Sequence, residues 1–395
     1  MSDVQAPTPL LGGLSPAAFM RRFWQKKPLL VRQAWPGVQP PLPRAELFAL
    51  AGREGVESRL VLRGEHGAPG RHAPPWQARH GPFARRALPA LARPGWTLLV
   101  QGLDLHVPAA HAMLAPFRFV PAARLDDLMV SWASAGGGVG PHADSYDVFL
   151  LQVQGRRRWR VAPPGAAGFV EGLPLKILRH FKPVHDWVLE PGDMLYLPPG
   201  WGHDGVAEGN ECMTCSVGFR APTGPELARE LLHRLADEAG DADAADAASG
   251  PGRTTPFYAD ASQPATPTPG AVPQALHRFA QRAVAKLMRD PKALERALGE
   301  CLSEPKAQVW FDAGAPLPQR TAVVLDARTR MLYDTRHIFI NGESLRAVGR
   351  DARLVKRLAD RRRLDADEVA RLSTEALSCL RQWAEAGWIR GEHPK

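Results

Sequence analysis

Two histidines and one aspartate in this sequence have the residue types and spacing to bind one metal ion. His142 and Asp144 stand two residues apart after a glycine-rich run, Gly136 to Gly140, and His203 follows far downstream. Two imidazoles and one carboxylate leave positions open on a redox-active Fe(II) for an organic co-substrate and O₂. If the three side chains converge, the sequence therefore predicts an oxygenase.

The elements around these residues favour convergence. Side chains at positions i and i+2 of a strand point to the same face, so a His-x-Asp pair at a strand end can present both ligands to one ion. His203 follows an apolar run, Met194 to Leu197, and a turn signal at Pro198 to Gly200. The chain between Asp144 and His203 is long enough for several strands of a small antiparallel barrel, which would bring the two motifs together. No histidines have the one-turn spacing of a helical zinc motif.

The segment after Asp144 supplies a candidate anion site. Its pattern predicts a hairpin over Asp147 to Val161, with the turn at Gln154-Gly155. In the returning strand Arg157 shares a face with Trp159, and this face should turn inward. A buried guanidinium requires an anionic partner, either the distal carboxylate of 2-oxoglutarate or a protein Asp or Glu. The opposite face carries three arginines that we expect to be mainly solvated: Arg156, Arg158 and Arg160.

These motifs resemble those of the JmjC-type ribosomal oxygenases of the cupin superfamily, and most of all the bacterial members that hydroxylate arginine. The resemblance is carried by residues 136–149, 155–161 and 192–203, and further by 23–32, 80–83, 96–101, 126–129 and 216–222. It implies that His142, Asp144 and His203 ligate Fe(II) and that Arg157 holds 2-oxoglutarate. It also implies O₂ as co-substrate and, as target, an arginine of large-subunit ribosomal protein sixteen. The alternative target is a histidine of another ribosomal protein.

The strand after the last ligand departs from the family pattern. Relatives carry an Asn near Thr214 and a Tyr near Cys215, and Ala133 stands where a serine can assist the co-substrate carboxylate. We therefore expect other hydroxyl groups to assist Arg157, and the candidates are Ser131, Tyr146 and Thr214.

Cysteine usage suggests neither a disulfide framework nor a zinc site. Cys212-x-x-Cys215 has the spacing of half a zinc site or a redox pair, but no second such motif completes four ligands. We expect two cysteines on opposite faces of a strand. Four cysteines in all suit a reducing cytoplasm, where we expect the protein to work.

Composition indicates a globular chain without a membrane-spanning segment. With 395 residues, 45% hydrophobic and 23% charged, it can form two or three packed domains. No apolar run approaches the ~20 residues of a spanning helix, and the start lacks the pattern of a signal peptide. The net charge of +9 suggests a nucleic-acid partner. Residues 53–93 are notably basic, but coding bias toward arginine is an alternative, so charge alone does not decide the partner.

We predict an α+β fold: a double-stranded β-helix, the jelly-roll barrel of the cupin and JmjC proteins, over residues 1–221, followed by helical residues 222–302. In the latter, 225–236 should be helical, 238–273 should be a Pro/Gly/Ala/Asp-rich loop, and 273–302 should be helical again. The last helical stretch carries Leu276, Phe279, Ala283 and Leu287 at helical spacing. In the family this region forms a dimer, so we expect a homodimer, with packing on the chain's own barrel as the alternative.

Residues 303–395 resemble a winged-helix module. We predict strands at 322–325, 331–333 and 337–340, and helices at 352–360 and 365–386. The last helix lacks a clean basic face, which favours a structural or protein-contact role over direct DNA binding. Two other functions remain open: a cupin enzyme with another metal, and a ligand-sensing DNA-binding regulator without turnover.

Overall fold

The structure is a computed structural model that describes residues 3–64, 76–165, 168–248, 258–261, 264–265, 268–318 and 320–392. For residues 241–248 it describes the backbone alone. Internal contacts divide the chain into two compact units. The first comprises Met1–Ala221 with Ala307–Trp310, and the second comprises Pro222–Lys306 with Phe311–Lys395.

The described part of the first unit contains a ten-stranded antiparallel sheet. Its strands are β1 Leu29–Val31, β2 Ser58–Arg63, β3 Trp76–His80, β4 Trp96–Val100, β5 Leu125–Ala133, β6 His142–Ala143, β7 Asp147–Ala162, β8 His185–Leu189, β9 Met194–Leu197 and β10 Gly202–Phe219. The main path is β1-β9-β7-β10-β5-β4-β2-β3, with β6 on β10 and β8 on β7. The helices are α1 Pro16–Arg22, α2 Arg44–Leu50 and α3 Pro108–Ala112, with 3₁₀ turns at Pro9–Leu11, Arg85–Ala87, Leu103–Leu105, Ala115–Phe117 and Ala122–Arg124.

The predicted strand Met194–Leu197 is confirmed as β9, but the predicted hairpin is wrong. Instead of folding back at Gly155, β7 continues as one strand and pairs along its whole length with β10. The left-handed φ of Gly155, 64°, bends the strand at a shift of register. A glycine with positive φ serves an irregularity of strand pairing as well as a turn, and here β7 is paired with β10 on both sides of Gly155.

The two faces of β7 pack into different clusters. Phe149 belongs to a large aromatic core that also contains Phe19 and Tyr196. The ring centroids of Phe149 and Tyr196 lie 4.9 Å apart. Val148 and Trp159 face a smaller cluster on the other side. Burial of each large apolar side chain contributes about 1.5–3 kcal/mol to stability. The side chains on both faces therefore hold β7 in a fixed position.

The second unit begins with α4 Gly224–Ala248, α5 Gln274–Leu287 and α6 Pro291–Ser303. The prediction of a loop from residue 238 is wrong as far as Ala248, because α4 continues through this alanine-rich segment, and alanine is the strongest helix former. Residues 249–257, 262–263 and 266–267 of the predicted loop lie outside the described residues. The second helical stretch is broken before α6, where the Asp290 side chain accepts from Lys292 N and Pro291 occupies the first turn.

The remaining elements form two small sheets with three helices. The strands are β11 Ala322–Leu325, β12 Met331–Tyr333, β13 His337–Ile340, β14 Glu343–Arg346, β15 Arg363–Leu364 and β16 Ile389–Glu392, and the helices are α7 Asp351–Arg361, α8 Ala366–Val369 and α9 Thr374–Glu385. β11 to β13 confirm the three predicted strands. The single helix predicted over 365–386 is wrong, because Ser373 caps a separate helix, α9, by accepting from Ala376 N.

Within the part of the chain that the structure describes, no helix is long and apolar enough to cross a membrane.

Candidate metal centre

The three predicted ligands meet where β6 lies against β10. His142 and His203 stand directly opposite each other in this antiparallel pair, with ring centroids 4.2 Å apart. Asp144 follows β6 and lies 3.9 Å from His142 Nε2 through Oδ1, and 3.5 Å from His203 Nε2 through Oδ2. One ligand atom from each residue lies within 4.8 Å of the others. The convergence expected from strand parity is therefore present.

Backbone carbonyls orient both imidazole rings. His142 Nδ1 donates to Gly140 O at 2.8 Å, and His203 Nδ1 donates to Trp201 O at 3.0 Å. Since a carbonyl only accepts, each Nδ1 carries the proton and each Nε2 keeps its lone pair. Burial, with a smaller contribution from the charge of His142, lowers the pKa of His203 to about 4. His203 is therefore neutral at neutral pH, as a metal ligand must be.

Glycines let the ligand loop lie close to the sheet. A Cβ atom on Gly138 would stand 2.4 Å from Gly205 O, and one on Gly137 would stand 2.4 Å from Trp96 O. Neither backbone oxygen can move aside, so no larger residue fits at these positions. The glycine run thus holds β6 against β10, which places His142 opposite His203.

A cavity of about 450 Å³ opens beside the cluster. Its lining includes all seven side chains that the sequence singled out: His142, Asp144, His203, Arg157, Ser131, Tyr146 and Thr214. It also includes residues that sequence reasoning missed, Arg59, Gln101 and Lys176 among them. No local pattern marks these three, because they come from strand and loop segments that only the tertiary fold brings to the cavity.

Arg157 lies in this cavity as a buried cation without a counter-ion. It is 4% exposed, as the inward face of β7 requires. Its Nε donates to Cys212 Sγ at 3.4 Å, and its guanidinium lies 5.7 Å from the ring centroid of Trp159. One terminal nitrogen, Nη2, is buried without a hydrogen-bond partner, and no described carboxylate forms an ion pair with it. Such a group calls for an anionic ligand from outside the chain.

Gln152 is a further polar residue that links Arg157 to its surroundings. It accepts from Thr214 Oγ1 at 2.9 Å, and its Nε2 donates to Gln154 O at 2.7 Å and lies 3.3 Å from Cys212 Sγ. The signal for it was available, since it is a polar side chain within the apolar run of β7. Together with Cys212 it fixes the position of the Arg157 guanidinium.

The two cysteines of the Cys-x-x-Cys pair lie on opposite faces of β10, as expected. Cys212 packs with Ala133 and Ala207 on one side, whereas Cys215 belongs to the large aromatic core on the other. Burial raises the pKa of the Cys215 thiol. The pair therefore does not present two sulfur ligands to one ion.

Tyr146 lies on the ligand side of the cavity. Burial, the charges of Asp144, Asp127 and Asp126, and a hydrogen bond to Asp144 raise the pKa of its hydroxyl. The hydroxyl is therefore protonated at neutral pH and lies in a negative electrostatic field. Ser131 and Thr214 occupy paired positions on β5 and β10, and the Thr214 proton is already donated to Gln152.

The outer arginines of β7 are about half exposed, as expected, and they also have acidic partners. Arg158 donates to Glu208 at 2.8 Å and to Asp186 at 3.0 Å, and Arg160 donates to Asp204 at 2.5 Å. Arg156 lies 3.8 Å from Glu208. The carboxylates come from β8 and β10, which were not predicted as neighbours, and such exposed pairs contribute about 0–1 kcal/mol each.

Comparisons with known proteins complete the description. Residues 112–227 match the family model of the JmjC domain, and residues 286–390 match that of the ROXA-like winged helix. The chain is 33% identical to the ribosomal protein uL16 3-hydroxylase of Escherichia coli K12 over 85% of its length and 86% of that protein. It is 37% identical to a probable ribosomal oxygenase of Haemophilus influenzae over 53% of its length and 50% of that protein.

Solved structures of an Escherichia coli protein agree with these matches. The X-ray structure of ycfD superposes with a TM-score of 0.77 at 30% identity, covering 95% of this chain and 97% of that one. A second structure shows YcfD, a ribosomal oxygenase, in complex with cobalt and 2-oxoglutarate. It superposes with a TM-score of 0.74 at 30% identity, covering 96% of this chain and 99% of that one.

Proposed function

We propose that this chain, which belongs to the JmjC-type ribosomal oxygenases, hydroxylates an arginine side chain of large-subunit ribosomal protein uL16. The family membership confirms the predicted JmjC barrel with a winged-helix module, and it makes the protein a 2-oxoglutarate-dependent dioxygenase. The observation that carries the proposal is the buried, unpaired guanidinium of Arg157 in the same cavity as a two-histidine, one-carboxylate cluster.

The site residues fit the metal and the co-substrate. His142, Asp144 and His203 offer the nitrogen and oxygen donors of a facial triad and would hold Fe(II). Arg157 would bind the distal carboxylate of 2-oxoglutarate through its planar fork, and Gln152 and Cys212 would keep that fork in place. When bound, iron with 2-oxoglutarate and O₂ supplies the oxidising power to turn a C–H bond into C–OH, with succinate and CO₂ as the other products.

Likeness to known sequences supports both parts of the proposed target. Residues 136–149 and 155–161 resemble the bacterial members that hydroxylate arginine, which favours arginine over histidine. The relative that is 33% identical over 85% of the chain is a ribosomal protein uL16 3-hydroxylase, which favours uL16 as the substrate protein.

The proposal predicts one added oxygen on recombinant uL16. We expect incubation with the protein, Fe(II), O₂ and 2-oxoglutarate to add a single oxygen, and tandem mass spectrometry to place it on an arginine. Omitting 2-oxoglutarate is the control for spontaneous oxidation, and substituting the modified arginine by lysine should remove the product. An oxygen found instead on a histidine of another ribosomal protein would contradict the arginine assignment while keeping the enzyme class.

A homodimer is part of the proposal, and α5 supports it. This helix has no buried residue, and it exposes Leu276, Val284 and Met288 by 37%, 54% and 49%. Leu276 and Val284 lie about two turns apart on α5, and Met288 follows one turn after Val284 as the C-cap of the helix, so the three form one apolar stripe. The same apolar stripe on a second copy of the chain would cover these three side chains.

Charge placed in this stripe should separate the proposed dimer. We expect light scattering to give the mass of two chains for the natural protein and of one chain for Val284→Glu, because a carboxylate is costly to bury in an apolar interface. Arg282→Gln changes the net charge by the same amount on the opposite face of α5 and should leave the dimer intact. A natural protein that is monomeric at micromolar concentration would contradict this part of the proposal.

In this proposal, residues 1–221 form the catalytic domain, residues 222–302 form the dimer interface, and residues 303–395 have a structural or protein-contact role. A substrate of this kind also places the protein in the cytoplasm, where ribosomal proteins are made and assembled.

A further inference from the structure

Seven arginines lie on or next to the strands at one edge of the sheet, and the structure gives them no counter-ions. We call this group the arginine edge: Arg53, Arg59, Arg63, Arg79, Arg85, Arg86 and Arg93. Among the described residues none of them forms an ion pair, although Glu54 and Glu57 lie in the same stretch. The three outer arginines of β7, Arg156, Arg158 and Arg160, are by contrast paired with carboxylates. The positive charge of this edge is therefore left for a partner.

The face of the arginine edge that carries Arg59 and Arg63 is continuous with the cavity, whereas Arg79, opposite Leu60, lies on the other face. β3 ends the sheet and pairs with β2, where Arg59 stands opposite His80 and Arg63 stands opposite Trp76. Side chains of directly paired residues point to the same face, so these four share one face. Arg59 lines the cavity. A Cβ atom on Gly140, two residues before His142, would stand 2.9 Å from the Trp76 ring. A ligand on this edge therefore reaches the cavity mouth.

Aromatic rings hold several of these guanidinium groups. The guanidinium carbon of Arg63 lies 5.8 Å from the Trp76 ring centroid, that of Arg79 lies 6.0 Å from Phe83, and that of Arg85 lies 5.3 Å from Phe48. Contact with a ring orients the planar group without using its N–H donors. The donors remain available for phosphate oxygens, and the partly exposed ring of Trp76 and the guanidinium planes are groups that can stack on bases.

We propose that the arginine edge binds RNA, with phosphates on the arginines and unpaired bases stacked against Trp76 and the guanidinium planes. One feature favours RNA over an acidic protein: the arginines of the edge are interleaved with aromatic side chains. Bound RNA would hold the protein on an RNA-rich assembly with the cavity mouth beside the chain that is modified. The inference needs neither iron nor 2-oxoglutarate, so its failure and that of the proposed hydroxylation are separate results.

Fluorescence anisotropy with a labelled single-stranded RNA tests the proposal. An RNA of about 15 nucleotides suits a groove that binds single strands. The variant Arg63→Gln/Arg79→Gln/Arg86→Gln removes three exposed charges from the edge. We expect it to bind at least about tenfold more weakly at low salt, and to lower the slope of log K against log salt by about 2, since each phosphate contact on single strands contributes about 0.7.

The matched control is Arg21→Gln/Arg22→Gln/Lys27→Gln. These three cations are also exposed and unpaired among the described residues, and two of them lie over the ring of Phe23. The control should bind RNA within about twofold of the natural protein if the edge, and not net charge, is responsible. Circular dichroism melting of both variants checks that they fold.

Three outcomes would overturn the proposal. One is an equal loss of affinity in the two triple variants, which would show that only net charge matters. A second is equally strong competition by poly-glutamate at matched charge, which would point to an acidic protein partner. The third is the absence of salt-sensitive RNA binding by the natural protein.

Discussion

Asp144→Ala is expected to lower the rate of substrate hydroxylation by more than about 100-fold, because even residues that only orient metal ligands contribute 10–100-fold. Asp144 supplies the one anionic donor of the cluster and lies within 4 Å of both imidazoles. Its removal leaves two neutral nitrogens, which bind a divalent ion weakly. Succinate release measures the rate, and equilibrium dialysis with Co(II) measures metal binding without turnover.

The control for this variant is Asp186→Ala. Asp186 is also an aspartate of the barrel, but it is about half exposed and pairs with Arg158 away from the cavity. It should keep full activity and metal binding, because exposed pairs contribute little. His142→Ala and His203→Ala should behave like Asp144→Ala. If Asp144→Ala bound Co(II) as tightly as the natural protein, the assignment of the metal centre would be wrong.

Arg157→Met is expected to raise the KM for 2-oxoglutarate by about 30-fold or more, since truncating one partner of a buried charge pair costs about 2–5 kcal/mol. The methionine keeps most of the volume and removes a guanidinium whose Nη2 has no partner. We therefore expect the thermal midpoint without 2-oxoglutarate to stay the same or rise, and the stabilisation by added 2-oxoglutarate to disappear. Steady-state kinetics and thermal melting measure the two effects.

The pair of readouts separates a binding role of Arg157 from a structural one. If Arg157→Met melted earlier and kept a normal KM, the arginine would be part of the packing and not of the co-substrate site. Cys212→Ala provides a graded comparison, because it removes one contact of the Arg157 Nε and keeps the guanidinium itself. Its effect on the KM should be clearly smaller than that of Arg157→Met.

The convergence of the candidate ligands could be predicted because its signals are local. Strand parity depends only on a period of two, so the sequence could place His142 with Asp144 and Arg157 with Trp159 on shared faces. The short strands bounded by turn residues, such as β9 and β11, were also found at their true limits. Hydrophobic and turn patterns of this kind keep their meaning in almost any surroundings.

The errors arose where two structures share one local signal. Gly155 has a left-handed φ that suits a hairpin turn or an irregularity of strand pairing equally, and pairing with the long strand β10 on both sides of it excluded the turn. The alanine-rich end of α4 has high helix propensity but no periodic stripe, so composition suggested a loop. The acidic partners of the outer arginines of β7 could not be named from the sequence, because the strands that carry them are not neighbours in sequence.

The sequence by itself determined which residues can do chemistry, since residue type and parity are written in the chain. It named the donors His142, Asp144 and His203 and the inward cation Arg157. Only the tertiary structure decided what surrounds them: the pairing of His142 with His203, the contact of Arg157 with Cys212, which Gln152 also contacts, and the arginines that lead to the cavity. The physical reason is that these contacts join residues far apart in sequence, and their partners are set by sheet register, which no local pattern specifies.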